Sequence, residues 1–388
     1  MAWPQPRRFG IESLQEAFVS DIAVQGTPER RITGRRHHGE RPWGRVARAW
    51  AGLALLTGLT VPLAVASPAA AHEHPAHQKA AHAYVANVED DTVSVISTKT
   101  NTVTTTVPVG DRPLGVALTP NGRRAYVTNN NGDSVSVIDT RTNAVTATVP
   151  VGDGPIGVAV TPDGGRVYVA NFADDSVSVI STKTNTVTAT VTVGDGPLGV
   201  AVTPNGQRVY VTNDLGDSVS VISTKTNTVT ATVTVGDGPG NLAVTPNGQR
   251  VYVTNAGGDS VSVISTRTNT VTATVPVGDL PNGVAVTPNG QRVYVTNLNS
   301  GTVSVIDTRT NTVTATITVG TWPRGVAFTS NGERAYIPNQ LDNTVSVIDT
   351  RTNTVTTTIP VGDGPTGIAI TQGCGSHHRG CAAGGTGR

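Results

Sequence analysis

Residues 197–237 read PLGVAVTPNGQRVYVTNDLGDSVSVISTKTNTVTATVTVGD, and this stretch decides the fold. It contains four short runs of Val, Ile and Thr in which apolar and polar residues alternate, a pattern that predicts four β-strands. Turn sequences of the type Thr-Pro-Asn-Gly and Thr-Lys-Thr-Asn, together with a variable polar loop, separate the runs. Four strands in about 42 residues are typical of one propeller blade.

The same unit fills the chain from about residue 83 to residue 371 without an inserted residue. Such a repeat predicts an array in which each unit buries its apolar face against its neighbours. The first copy starts at its second strand, residues 83–87, and the missing opening strand stands at the other end, in residues 367–371. We therefore predict an all-β fold, a single seven-bladed β-propeller of four-stranded blades, with the ring closed by pairing of the N- and C-terminal strands in one blade. The tyrosine of each unit recurs at Tyr84, Tyr126, Tyr168, Tyr210, Tyr252, Tyr294 and Tyr336.

The motif around each tyrosine resembles a known repeat family. Tyr-Val-Thr-Asn occurs at residues 126–129, 210–213, 252–255 and 294–297, and the other three copies depart from it mildly, at residues 84–87, 168–171 and 336–339. The four exact copies each follow a Pro-Asn-Gly turn. These motifs are similar to the YVTN family of β-propeller repeats over about residues 83–371. The resemblance implies an exported or cell-surface protein, as in surface-layer proteins, and a binding or structural module more than an activity.

Four segments follow from composition. Residues 1–71 form a basic lead and secretory signal peptide, 72–82 a His-rich linker, 83–371 the propeller, and 372–388 a Gly-rich tail. The apolar run at 50–66 is short and interrupted by Gly58 and Pro62, which favours a cleaved signal over a membrane span. We expect a secreted, extracellular or surface-associated protein with no transmembrane span in the mature chain. An uncleaved N-terminal anchor is the alternative.

Cysteine and histidine occur near the ends of the chain. Cys374 and Cys381 lie in the tail, and in an exported protein they predict a local disulfide, with a metal site as the alternative. Cleavage after Ala71 would start the mature chain at His72-Glu-His74, an arrangement that suits Cu(II) or Ni(II). A solvated linker is the alternative for these histidines.

Residues 83–371 contain no His and no Cys, which removes the usual general base and the thiol nucleophile from the ring. They hold 16 Lys and Arg residues against 21 Asp and Glu residues, and few aromatic residues outside the repeat, so a nucleic-acid partner is not expected. No phosphate-binding glycine motif is present, because the glycines belong to the repeating turns. The sequence indicates neither a nucleotide cofactor nor an enzyme.

Two ends of the ring differ in sequence. The variable end consists of the loops between the second and third strands and the turns between blades, and it holds 16 of the acidic residues but only two of the basic ones, Arg112 and Arg324. The constant end consists of the two nearly invariant turns and holds the other 14 Lys and Arg residues. At the variable end, Glu89, Asp90 and Asp91 are the best candidates for a Ca²⁺ site, so a divalent cation is the one cofactor left open. The alternative for the aspartates between blades is hydrogen bonding to the turn backbone before each Pro.

One sector of the variable end breaks the repeat most. Its turns between blades include residues 111–114, 279–282 and 321–324, where larger side chains replace glycine and small residues. Since the residue after each Pro enters the innermost strand, we expect these side chains to rim the mouth of the central channel. A tryptophan beside arginine suits stacking on a sugar or anchoring a peptide, although loop variation without function is the alternative. The candidate ligand-binding residues are Arg112, Leu280, Asn282, Trp322, Arg324 and Leu341.

Taken together, these patterns predict an exported, non-enzymatic and monomeric propeller that binds a cell-wall polymer, a glycan or a protein partner through its variable, acidic end. A lactonase-like or lyase-like enzyme is the first alternative, with Arg324 or Arg112 as electrophile and Asp342 or Glu89 as base. A purely structural surface-coat component is the second.

Overall fold

The computed structural model describes residues 81–371, and these residues form seven four-stranded antiparallel sheets. The signal peptide, His72, His74 and the Cys374–Cys381 pair lie outside the described residues, and the predictions for them stay predictions. Within residues 81–371, no helix is long and apolar enough to cross a membrane.

Each sheet is one blade, and the blades are numbered here from the one that contains both chain ends. From the innermost to the outermost strand, blade 1 consists of β28 (Pro365–Ile370), β1 (His82–Asn87), β2 (Thr92–Ser97) and β3 (Thr102–Pro108), and blade 2 of β4 (Pro113–Leu118), β5 (Arg124–Asn129), β6 (Ser134–Asp139) and β7 (Ala144–Pro150). Blade 3 consists of β8 (Pro155–Val160), β9 (Arg166–Asn171), β10 (Ser176–Ser181) and β11 (Thr186–Thr192), and blade 4 of β12 (Pro197–Val202), β13 (Arg208–Asn213), β14 (Ser218–Ser223) and β15 (Thr228–Thr234). Blade 5 consists of β16 (Pro239–Val244), β17 (Arg250–Asn255), β18 (Ser260–Ser265) and β19 (Thr270–Pro276), and blade 6 of β20 (Pro281–Val286), β21 (Arg292–Asn297), β22 (Thr302–Asp307) and β23 (Thr312–Thr318). Blade 7 consists of β24 (Ala327–Phe328), β25 (Arg334–Asn339), β26 (Thr344–Asp349) and β27 (Thr354–Pro360), with a single 3₁₀ turn at Gln340–Asp342.

The ring closes as the repeat predicts. Strand β28 pairs antiparallel with β1, in the register Ala83↔Ile370 and Tyr84↔Ala369, so the last strand of the propeller completes the first blade. The innermost strands of neighbouring blades contact one another around the ring, including β28 with β4. The seven-bladed, all-β fold is confirmed.

The hydrophobic core lies between blades rather than within one sheet. A typical cluster joins Tyr210, Val219 and Val221 of blade 4 to Val251 and Ile264 of blade 5, all at most 5% exposed to solvent. Each blade therefore buries its apolar face only against its neighbours, which is the arrangement expected for a repeat array.

The YVTN motif has a structural meaning in each of its polar positions. The Tyr210 hydroxyl donates to Asn269 Oδ1 of the next blade at 2.9 Å, and Thr212 Oγ1 donates to the Gly240 carbonyl of the next blade at 2.6 Å. The Asn213 amide donates to Ser218 Oγ and Ser220 Oγ, both at 3.0 Å, and so holds the second strand to the third. The motif therefore encodes contacts between and within blades.

Blade 7 departs from the regular pattern at its innermost strand. Only Ala327–Phe328 form a strand there, with an isolated bridge between Pro323 and Asn339. In blade 2, Gly115 N–H donates to the Thr128 hydroxyl at 2.8 Å, but blade 7 has Pro338 at the position of that threonine. Because Pro338 has no hydroxyl, Gly325 N–H donates instead to the Thr366 carbonyl of blade 1, at 3.2 Å. Blades 1 and 3 have Ala86 and Ala170 at this position and keep innermost strands of full length, so the missing hydroxyl alone does not explain the shortened strand.

Candidate functional site

The third residue of every turn between blades has a left-handed backbone. Four of the seven positions in residues 81–371 are glycines, at Gly154, Gly196, Gly238 and Gly364, with φ between 59° and 65°. The other three are Arg112 (φ 53°), Leu280 (φ 55°) and Trp322 (φ 55°). A side chain in this conformation costs roughly 1–2 kcal/mol relative to the right-handed form. Three bulky residues thus occupy strained positions that glycine fills elsewhere in the ring, on blades 2, 6 and 7.

Loop aspartates hold these turns in place. Asp91 Oδ1 accepts from Arg112 N–H at 2.9 Å, Asp217 Oδ1 from Gly238 N–H at 3.0 Å, and Asp259 Oδ1 from Leu280 N–H at 2.9 Å. The sequence-based alternative gave this role to the aspartates between blades, such as Asp237, whereas the structure gives it to the loop of the preceding blade. Aspartates do accept hydrogen bonds from the turn backbone, as predicted, but they are the loop aspartates and not those between the blades.

Trp322, Arg324 and the loop after β25 form the core of the candidate site. The Arg324 guanidinium carbon lies 5.3 Å from the centre of the Trp322 ring, within the range of a cation–π contact. Its Nε–H donates to Gln340 Oε1, and burial lowers the pKa of Arg324 to about 10. Asp342 Oδ2 accepts from Thr321 N–H at 2.7 Å and fixes the turn before the tryptophan. A half-buried, stacked arginine at this position can bind an anionic group.

Leu341 is the most exposed of the large hydrophobic residues in the described chain, with 54% of its surface accessible. It lies in the 3₁₀ turn directly after Gln340, the residue whose Oε1 accepts from Arg324. Leu215 occupies the equivalent position in blade 4 and is 41% exposed.

The position after the first Pro of each unit is apolar in one arc of the ring and polar in another. The residue after the first Pro of each innermost strand is Leu114, Ile156 or Leu198 in blades 2 to 4, and Asn282, Arg324 or Thr366 in blades 6, 7 and 1. Arg324 is the one charged residue among these positions in the described ring. If these side chains rim the channel as the sequence predicts, a ligand there would meet an apolar side and a cationic side.

The candidate residues predicted from sequence are only partly brought together. Trp322 and Arg324 are in contact, and Leu341 follows the residue that binds Arg324. Leu280 and Asn282 lie on the adjacent blade 6, where the Asn282 carbonyl accepts from the Thr254 hydroxyl at 2.9 Å. Arg112 lies two blades beyond Trp322, on the other side of blade 1.

The acidic candidates for a metal site are used in turns. Asp90 Oδ2 accepts from Asp363 N–H at 2.6 Å, and Asp91 caps the turn at Arg112. No group of three or more His, Cys, Asp or Glu side chains in residues 81–371 is arranged to hold a metal ion. Glu89, Asp90 and Asp91 therefore do not form a cluster of carboxylates around one point, and a divalent cation stays a prediction.

Sequence reasoning missed Asp214. This residue follows the motif asparagine of blade 4 and is only 6% exposed. Its Oδ1 lies 3.6 Å from the point where Gly238 of blade 5 would carry a Cβ atom. Burial, and then the charges of Asp217 and Asp237, raise the pKa of Asp214 to about 6. A buried carboxyl with a perturbed pKa is a candidate functional group. In the sequence, Asp214 is the one acid at a position where the other blades of the described ring have Val88, Asn130, Phe172, Ala256, Leu298 and Gln340.

Comparisons with known proteins agree with this class of fold. The family model "Lactonase, 7-bladed beta-propeller" matches residues 157–319, and the model "YNCE-like beta-propeller" matches residues 44–165. A search of curated proteins gave no match. The protein is thus a seven-bladed β-propeller, and the finer resemblance to YVTN repeat proteins stays a prediction.

Two solved structures illustrate the likeness. A chain of Kuenenia stuttgartiensis hydrazine synthase is 24% identical, with a TM-score of 0.60, and the match covers 66% of this chain and 89% of that one. A functionally unknown protein from Desulfotomaculum acetoxidans DSM 771 is 19% identical, with a TM-score of 0.68, and the match covers 75% and 99% of the two chains. At these identities the likeness supports the fold alone.

Proposed function

We propose that this protein is an exported, non-enzymatic binding module whose variable end holds a cell-wall polymer, a glycan or a protein partner. The observation that carries the proposal is Trp322, which keeps a large ring at a left-handed position that four other blades fill with glycine. Strain of this kind persists where the surrounding structure fixes it, and it concentrates at ligand sites. The ring then offers its face to a sugar or peptide while Arg324 offers a cation.

The chemistry of the site points to a ligand with an anionic group and an apolar or sugar face. Arg324 supplies charge-assisted hydrogen bonds, Trp322 a stacking surface, and Leu341 an exposed apolar contact. Acidic glycans and peptides with a carboxylate next to an apolar group fit this combination.

Titration of the full chain with muropeptides, acidic oligosaccharides and acidic peptides tests the proposal by calorimetry. We expect saturable binding to one of these classes, lost in Arg324→Gln and strongly reduced in Trp322→Gly, which installs the residue found at this position in four other blades. Leu341→Ala should weaken binding, whereas the matched Leu215→Ala, at the same position of blade 4, should leave it unchanged. Equal effects of the two leucine variants, or full binding by Arg324→Gln, would place the site elsewhere.

The match to the lactonase family model favours one second candidate, hydrolysis of a lactone at the same mouth. In that case Arg324 would polarise the carbonyl. The base would be Asp342, whose Oδ2 accepts from Thr321 N–H beside Trp322, or Asp214 of blade 4, whose raised pKa suits proton transfer near neutral pH. Acid release from simple lactones, followed in a pH-stat, discriminates the two functions. Turnover that disappears in Asp214→Asn while ligand binding persists would establish the enzyme.

A further inference from the structure

The constant end carries one exposed cation at the same turn of every blade in the described ring. The turn joins the third and fourth strands and reads Thr-Lys-Thr-Asn or Thr-Arg-Thr-Asn, and its Lys or Arg is exposed in all seven blades. Together these cations form a ring, which we call the basic ring. Its members are Lys99, Arg141, Lys183, Lys225, Arg267, Arg309 and Arg351.

The seven turns that carry the basic ring share one backbone conformation. In each of the seven turns the asparagine has a left-handed backbone, with φ between 52° and 56°, and its N–H donates to the carbonyl four residues earlier. The asparagine side chain also accepts a hydrogen bond from the tyrosine hydroxyl of the preceding blade, as Asn269 does from Tyr210. Turns of identical length and conformation reach the same height, so the cations lie near one plane.

Carboxylates offset part of the basic ring. In blades 2, 6 and 7 an aspartate stands two residues before the arginine, at Asp139, Asp307 and Asp349. Backbone N–H groups of the turn, followed in effect by the nearby arginine, hold the pKa of each of these carboxyls below its ordinary value. Blades 1, 3, 4 and 5 have serine at this position, so Lys183, Lys225 and Arg267 of three consecutive blades form an arc with no aspartate in their own turns. One acid, Asp163, lies in the neighbouring turn of blade 3, whose Gly164 carbonyl accepts from the Thr182 hydroxyl.

Both ends of the described ring emerge at this same end. Thr371 N–H donates to the His82 carbonyl at 2.8 Å, where β28 finishes and β1 begins, next to the constant-end turns of blade 1. The opposite, variable end holds 16 acidic residues and two arginines. An anionic surface would attract the constant end and repel the variable end.

We propose that the basic ring docks flat on an anionic lipid bilayer, with the variable end turned to the solution. A plane of headgroups can meet all the turn tips at once, whereas a linear polyanion can follow only an arc of them. The tips carry Thr, Lys, Arg and Asn and no apolar residue, so the association is electrostatic and peripheral.

Co-sedimentation of the full chain with vesicles of phosphatidylcholine, with or without phosphatidylglycerol, tests this proposal. We expect binding only to the anionic vesicles, and weaker binding as salt rises. Each exposed cation at an anionic surface contributes about a fivefold change in affinity. The triple variant Lys183→Gln/Lys225→Gln/Arg267→Gln should therefore bind on the order of 100-fold more weakly.

Two matched triple variants sharpen the test. Arg141→Gln/Arg309→Gln/Arg351→Gln removes three cations from the same turns, but adjacent aspartates already offset these, so its loss should be much smaller. Asp139→Ser/Asp307→Ser/Asp349→Ser makes the three turns like those of the other blades and should strengthen binding. The basic residues before position 72 are common to all variants and cancel in the comparison, and melting curves confirm that each variant is folded.

Equal losses in the two cation triples, or no gain in the serine triple, would overturn the proposal. So would binding to soluble polyphosphate that is as tight as binding to vesicles and equally sensitive to the variants, since the partner would then be a polyanionic polymer. This proposal does not depend on ligand binding at Trp322, because the two sites lie on opposite ends of the ring.

Discussion

Replacement of Asp214 by Asn should stabilise the protein in a pH-dependent way. The carboxyl is 6% exposed, and its pKa in the folded protein is raised from 3.8 to about 6, first by burial and then by Asp217 and Asp237. The folded state therefore binds a proton more readily than the unfolded state. The charged form destabilises the fold fully above pH 6, and this effect disappears as the pH falls through 6 towards 3.8.

A difference of about two pKa units corresponds to about 3 kcal/mol of free energy of unfolding above pH 7. Asp214→Asn should gain about that much at pH 8, and roughly half as much at pH 5. Asparagine is a suitable replacement because Asn130 occupies the same position in blade 2, where its amide donates to the Pro155 carbonyl of the next blade at 3.5 Å.

Urea unfolding at pH 8 and pH 5 measures both numbers on the full chain. Asp259→Asn is the control for loss of one negative charge at the variable end, since Asn343 fills the equivalent position in blade 7 and accepts from Gly364 N–H at 3.0 Å. An Asp214→Asn gain that is absent at pH 8, or equal at the two pH values, would refute the burial argument.

Two further predictions concern the contacts between and within blades. Tyr210→Phe removes a 2.9 Å hydrogen bond to Asn269 and should lower the free energy of unfolding, measured in urea, by about 1 kcal/mol. Tyr126→Phe should lower the free energy of unfolding by less, because the hydrogen bond from Tyr126 to Asn185 is 3.4 Å long. Pro338→Thr restores the hydroxyl that accepts a glycine N–H in blade 2, so hydrogen exchange should become slower at Gly325. Unchanged exchange there would mean that Gly325 N–H keeps its bond to the Thr366 carbonyl.

The repeat predicts the fold almost completely, because each unit has the same pattern of strands and turns and packs against its neighbours in the same way. The position of Tyr84 at the start of the first copy and of residues 367–371 at the end already indicates that one blade is shared by both chain ends, and the pairing of β28 with β1 confirms it. Alternation alone does not show that the middle strands are buried on both faces: Val209 and Val211 pack against blade 3, whereas Tyr210 of the same strand packs against blade 5.

Departures from the repeat are harder to interpret from sequence, because their effects depend on neighbours in space. From sequence, Pro338 is a mild variation of the motif, yet Gly325 N–H donates to the Thr366 carbonyl in its blade and the innermost strand has only two residues. Asp214 reads as one of many loop acids, and only its position against Gly238 of the next blade shows that it is buried. The left-handed backbone at Trp322 could not be predicted from sequence either, although the sequence does show a tryptophan where four other blades have glycine.

Because blade 1 contains both the first and the last strand of the described ring, the order of the blades does not depend on where the chain begins. Only hydrogen bonds and side-chain packing join the last strand to the first, and the amide of Thr371 already touches the carbonyl of His82. A short peptide joining these two residues would allow the chain to be opened in another loop, such as the one between Asp214 and Ser218, with all 28 strands of the described ring kept. The new N and C termini of such a circular permutant would lie at the acidic end. A linker attached to either terminus would then present the opposite end of the propeller, and the sequence of every blade would stay unchanged.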